Sequence, residues 1–203
     1  MAGAAVADDD IARHLRHLEV ERRLAPSTLQ MYGDAFGRLR AFAAAQPVEL
    51  RQVQPHHVRR WAAQLHAQGL APRSIAIQLT AWRGLYRWLG RDALVASNPV
   101  DGVRAPKAAK PLPKALSVDQ AVALAEQHDD DGDPRLAARD HCIVELLYGC
   151  GLRVGELTGL DLAAGGAAAG WVDVSDATAH VLGKGRKRRS VPVGAAALQA
   201  LQA

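Results

Sequence analysis

Through the first ninety residues, apolar side chains recur every three to four positions in four blocks, about 8–23, 26–45, 55–68 and 72–90, each predicting an amphipathic helix. Pro26 and Pro72 occupy first-turn positions, followed by Ser27 and Thr28 or by Arg73 and Ser74, and Gly69 closes the third block. Four helices joined by short loops predict a compact bundle. Trp61, Trp82 and Trp88 fall at helical spacing among Leu and Ile and are expected in its core. Residues 98–116 then hold four of the ten prolines and no long apolar pattern, which predicts an extended linker.

Beyond the linker the pattern changes. Ser117 is the expected N-cap of a helix through VDQAVALAEQ. Residues 136–148 carry Leu136, Ile143, Val144, Leu146 and Leu147 and read as a buried helix that Gly149 and Gly151 stop. A shorter amphipathic stretch follows with Leu152, Leu157 and Leu160. The Val-rich runs WVDV, AHVL and RSVPV come next, punctuated by Ser175 to Ala177 and by Gly183 and Gly185, and predict a small antiparallel sheet. The final GAAALQALQA reads as a helix interrupted in mid-pattern. The expected fold is mainly α with a small antiparallel sheet. Its parts are a helical domain at 1–97, the linker at 98–116 and an α+β portion at 117–203.

Candidate chemistry concentrates in two segments, GCGLRVGELTGL at 149–160 and VLGKGRKRRSVPV at 181–193. Arg153 falls in the first turn of the short stretch, where free N–H groups favour an anion and a guanidinium adds a fork for two phosphate oxygens. Glu156, three residues on, is placed to hold it. Taken alone, these two residues are better explained as an ordinary surface ion pair on a helix. Lys184, however, lies between Gly183 and Gly185 at a predicted hairpin tip, where glycines permit close approach to a ligand. Five of the six residues from Lys184 to Arg189 are basic, including Arg186, Lys187 and Arg188, and suit phosphate contact. A solvated basic patch accounts for the charge but not for the strand and glycine context.

Net charge is only +4, so its distribution matters more than its sum. Residues 1–104 hold 14 arginines, no lysine and 9 acidic residues, while 105–203 hold 11 basic and 12 acidic ones. In the second part the acids gather at DDDGD, 129–133, and the bases at the hairpin, leaving room for one electropositive face. No apolar run reaches the roughly 18 residues a membrane span needs, and MAGAAVADDD is acidic where a secretory signal is basic. Cytoplasmic residence without membrane association is expected. Cys142 and Cys150 show no metal-ligand spacing and read as reduced core thiols, and His56 and His57 read as a solvated helix start.

The chain resembles the tyrosine site-specific recombinases (the phage integrase family), and within them the bacterial Xer type that resolves chromosome dimers. The resemblance is carried by PSTLQMYGDAF at 26–36, LTAWRGLYRWL at 79–89, NPVDGVRAPK at 98–107, LPKALS at 112–117, ELLYGCGLRVGELTGL and GKGRKRRSVP, in that order. It implies a SAM-like core-binding domain followed by part of a catalytic domain, both gripping duplex DNA. Arg153 is then the active-site arginine that binds the non-bridging oxygens of the scissile phosphate. Lys184 is the acid that protonates the departing 5′ hydroxyl, and Glu156 supports the arginine. A tyrosine attacks to form a 3′ phosphotyrosyl link, with no metal or other cofactor. Candidate phosphate contacts in the first domain are Thr28, Arg73, Ser74, Arg83 and Arg87, with Arg186, Lys187 and Arg188 in the second.

The family's His-x-x-Arg motif, its further His or Trp and its nucleophilic tyrosine lie C-terminal to the hairpin and have no counterpart here, so a C-terminally truncated protein is expected. Tyr32, Tyr86 and Tyr148 fall within apolar helical patterns and are expected to be core or half-buried. The chain alone is expected to bind DNA without cutting it. The family works as a tetramer, for the Xer type with a second related recombinase. A binding-only module and an integrase of a phage or transposon are the alternatives.

Overall fold

A computed structural model describes residues 2–107, 115–125, 133–165, 168–183, 185 and 187–202, without the side chains of 2–8 and 125. Lys184 and Arg186 lie outside the described residues. The chain forms two compact units, residues 1–111 and 112–203.

The first unit contains α1 (Ala2–Val20), α2 (Pro26–Ala45), a 3-10 turn (Leu50–Gln52), α3 (Pro55–Ala67) and α4 (Pro72–Arg91). Proline opens α2, α3 and α4, where its missing N–H is no loss and its fixed φ suits a helix. Gly69, at φ +84°, turns the chain after α3, a conformation only glycine adopts without strain. Phe36, Leu39, Trp61, Leu65, Ile75, Trp82, Leu85 and Tyr86 build one core, and Trp88 packs half-buried against it. Two of these aromatics have satisfied polar ends, Trp82 Nε1 donating to Ala35 O and the Tyr86 hydroxyl to Leu50 O, each at 2.8 Å, whereas the buried Trp61 Nε1 has no hydrogen-bond partner among the described residues. Arg51 from the 3-10 turn grips the buried Asp10 of α1 through two bonds of 2.8 Å.

Residues 98–105, in the proline-rich stretch, add to this core, since Val100 and Val103 are buried in it. Arg83 of α4 binds them there, its Nη2 donating to Val103 O at 3.0 Å and Val100 O at 3.3 Å. Asn98 completes the clasp by donating to Arg83 O and accepting from Val100 N.

The second unit runs α5 (Val118–Ala125), α6 (Pro134–Cys150), α7 (Val154–Leu157), β1 (Leu160–Asp161), β2 (Gly170–Asp173), β3 (Thr178–Leu182), β4 (Arg188–Pro192) and α8 (Ala195–Gln202). Ser117 and Gln120 bond reciprocally across the first turn of α5, the capping arrangement of a helix start. Gly151, at φ +59°, ends α6 in the left-handed conformation. The strands lie in the order β1-β2-β3-β4, with β2–β3 and β3–β4 antiparallel. The sheet is mixed rather than purely antiparallel, because the two-residue β1 pairs parallel to β2. Leu160 belongs to β1 and not to the preceding helix, which ends at Leu157. Val172, Ala179 and Val181 point inward and share a core with Leu146 of α6 and Ala197 of α8.

Candidate active site and nucleic-acid interface

The turn after α6 sets Arg153. Gly151 redirects the chain, Leu152 is buried, and Arg153 occupies the N-cap of α7 with an extended backbone. Because α7 is a single turn, the helix end adds little field of its own, and the side-chain network holds the charge in place. Glu156 accepts from the Arg153 backbone N–H and from its Nη1, both at 2.9 Å. Arg189 of β4 donates from Nη2 at 2.7 Å to Oε2, the oxygen that also takes the Arg153 backbone N–H. The Arg153 backbone N–H, then the Arg189 guanidinium, hold the Glu156 carboxyl down to about 2. Glu156 is 6% exposed, whereas the Arg153 side chain is 69% exposed. A sheltered carboxylate thus anchors an outward-facing guanidinium.

The same carboxylate also meets the hairpin. A Cβ on Gly183 would lie 3.3 Å from Glu156 Oε1 and 3.4 Å from Lys187 O, so the backbone passes closely beside the anchor. Gly183 N donates to Lys187 O at 2.8 Å, and Gly185 takes φ +77°. That bond ties the residue that follows β3 to the one that precedes β4. Arg189 was absent from the sequence-derived candidates. Its signal was the strand's alternation, since Arg189 shares a phase with Val191 and therefore turns to the side that packs on the helices.

On the first unit, Arg73, Ala76, Thr80, Arg83 and Arg87 follow one side of α4, all exposed but the half-buried Arg83. Arg73 and Arg87 have no hydrogen-bond or ion-pair partner among the described residues. Ser74 sits half-buried in the first turn of α4, and Thr28 likewise in α2. Arg83 differs from its neighbours because its guanidinium is already engaged with the 98–103 segment and lies 3.6 Å from Asp101. In the second unit Lys187 and Arg188 are exposed, with Arg188 lying over Trp171.

The three tyrosines differ in setting. Tyr86 is buried and Tyr32 half-buried, but Tyr148 is 54% exposed on α6 and does not belong to a core. Its place in an apolar run conceals a position on the outer side of the helix. Cys142 and Cys150 are free thiols, pushed up by burial. Among the described residues no three His, Cys, Asp or Glu side chains converge as metal ligands, and no helix is long and apolar enough to cross a membrane.

Residues 11–92 match the model of the phage integrase N-terminal SAM-like domain, and residues 114–203 match that of the phage integrase family. The chain belongs to the phage integrase family of tyrosine recombinases. It is 52% identical over 200 residues to tyrosine recombinase XerC 1 of Ralstonia nicotianae, covering 95% of this chain and 60% of that protein. XerC of Ralstonia pickettii is 50% identical over 208 residues, covering 99% of this chain and 63% of its own length. The chain therefore spans about three-fifths of these relatives. Among solved structures, the Tn1549 transposon integrase in complex with a circular intermediate DNA aligns with a TM-score of 0.70 at 16% identity, over 97% of this chain and 63% of that one. A lambda integrase dimer bound to a COC′ core site aligns at 0.69 and 16%, over 96% and 53%. At those identities the likeness is one of fold.

Proposed function

We propose that this chain forms the DNA-gripping part and an incomplete active site of a site-specific tyrosine recombinase of the Xer type. The observation that carries the reading is the junction at Glu156. One buried carboxylate joins Arg153 from the turn after α6 to Arg189 from the hairpin, with Gly183 against it. In this reading Arg153 binds the non-bridging oxygens of the scissile phosphate and stabilises the charge that develops as the bond breaks. Lys184, next to Gly183 in the chain, protonates the departing 5′ oxygen. Glu156 and Arg189 are positioning residues. The phosphate is transferred to a tyrosine and back, so rejoining draws on the energy of the phosphotyrosyl bond and requires no metal or nucleotide.

None of the three tyrosines suits the role of nucleophile. Tyr86 spends its hydroxyl proton on Leu50 O within a core, burial pushes its phenol well above the ordinary value, and Tyr32 packs edge-on against Phe36. Tyr148 is exposed, yet it lies on α6 ahead of the arginine turn, whereas the family places its nucleophile after the hairpin. Residues 1–203 accordingly bind duplex DNA without cutting it. The identity of 50–52% to XerC proteins favours a chromosomal, dimer-resolving role with a second recombinase as partner, in the cytoplasm, over that of a mobile-element integrase.

Duplex binding by residues 1–203 is expected to weaken steeply between about 50 and 200 mM salt. Absent or salt-insensitive binding by a folded sample refutes the reading. On a nicked suicide substrate no covalent adduct is expected, and an adduct at Tyr148 would overturn the assignment of this chain as non-cutting. In a version extended to the relatives' length, Lys184→Ala should slow cleavage, with recovery on a 5′-thio leaving group. Arg153→Ala should not recover on that substrate.

A further inference from the structure

Successive residues of β4 face opposite ways, and Arg188 and Arg189 divide accordingly. Arg189 turns inward to Glu156. On the outward side, Trp171 of β2, His180 of β3 and Ser190 of β4 stand in register across three strands. The indole and imidazole centroids are 4.6 Å apart at 31°, and His180 Nδ1 lies 2.8 Å from Ser190 Oγ. Arg188, in phase with Ser190, brings its guanidinium carbon to 5.4 Å from the centre of the Trp171 ring. Unlike Arg189, it has no carboxylate partner among the described residues. The ring face holds the cation, while the N–H edge of the fork stays unspent.

We propose that this outward ladder is a phosphate-binding platform for duplex DNA, separate from the phosphate addressed by Arg153. Arg188 supplies the charge and a two-pronged donor, Trp171 fixes its orientation, and the His180–Ser190 pair offers a further polar contact. Two features favour a phosphodiester over an acidic protein surface. Exposed Lys187 directly precedes Arg188, so a second positive charge stands beside the platform. A stacked guanidinium also presents its donors in a fixed plane, which matches paired phosphate oxygens. The proposal rests on the DNA-binding reading above and adds a site to it.

The test is fluorescence anisotropy of residues 1–203 on a labelled duplex, titrated with salt. Arg188→Gln should lower the salt slope by about 0.9 and weaken binding about eightfold near 0.1 M, the loss of one phosphate contact. Trp171→Leu keeps the charge but releases it, so binding should weaken about two- to fivefold with the slope kept. Arg135→Gln, an exposed position on α6, removes the same charge elsewhere and should change neither quantity. If Arg188→Gln binds as the parent does, or no worse than Arg135→Gln, the platform is refuted while the parent's own binding still supports the function proposed above. Should Arg188→Gln bind DNA normally but lose affinity for polyglutamate, the ladder serves an acidic protein and the proposal falls. No binding by the parent overturns both readings.

Discussion

His14 is the place to test how the helical unit responds to acid. Its ring lies against Phe36 of α2 and Trp88 of α4, is 3% exposed, and neither ring nitrogen has a hydrogen-bond partner among the described residues. Burial, followed by the charges of His17 and Arg91, lowers its pKa from 6.5 to about 4. Folding therefore favours the neutral ring. The stability this contributes is full above pH 6.5 and is lost as pH falls toward 4, because the unfolded chain takes up a proton that the folded one refuses. With 1.36 kcal/mol per unit, the loss is about 2 kcal/mol by pH 5 and about 3 kcal/mol by pH 4. Urea unfolding can be followed through Trp61, Trp82 and Trp88 in a Trp171→Phe background that silences the other unit. The parent should lose that stability between pH 7 and 5. His14→Leu should be at least as stable at pH 7, since it removes two unsatisfied buried nitrogens, and should show a flatter profile. A parent that is flat over this range, or a variant that declines in parallel with it, refutes the reasoning.

Arg83→Met should release the 98–103 segment and cost about 1.5–3 kcal/mol, the scale of a charged hydrogen-bonding group, read as a lower urea midpoint and protease cleavage near residue 101. Tyr86→Phe leaves Leu50 O without its donor inside the core and should cost about 1–3 kcal/mol in the same assay. Glu156→Gln should leave much of the DNA affinity of residues 1–203 intact, yet in the extended protein reduce cleavage sharply by freeing Arg153. A variant that cuts at the parent's rate would show that the anchor is dispensable. Since the Glu156 pKa is lowered, the anchor's contribution is full above about pH 4.5 and disappears only as pH falls toward 2. Near-ultraviolet circular dichroism of Trp171 should therefore hold steady from pH 7 to 5.

Much of the helical unit was legible because its signals are local. Proline at helix starts, Gly69 after α3 and tryptophans at helical spacing each act within a turn or two of the chain. The pairing of Arg153 with Glu156 was legible for the same reason, being a three-residue spacing. What escaped depends on distant partners. β1 has two residues and leaves no alternation to read, so its parallel pairing with β2 was hidden. Arg83 looked like one more cation on an exposed side until Val100 and Val103 came back to cover it. Tyr148 shares the composition of its buried neighbours but points outward, and an apolar run alone does not separate the two sides of α6.

The shared carboxylate at Glu156 ties the arginine turn to the folded sheet. Its two guanidiniums come from positions 36 residues apart; Arg153 meets it within one turn of chain, while Arg189 reaches it only once the sheet has closed. If Arg153 grips the scissile phosphate, as proposed, a frayed hairpin loosens that grip by releasing one of the two guanidiniums that hold Glu156.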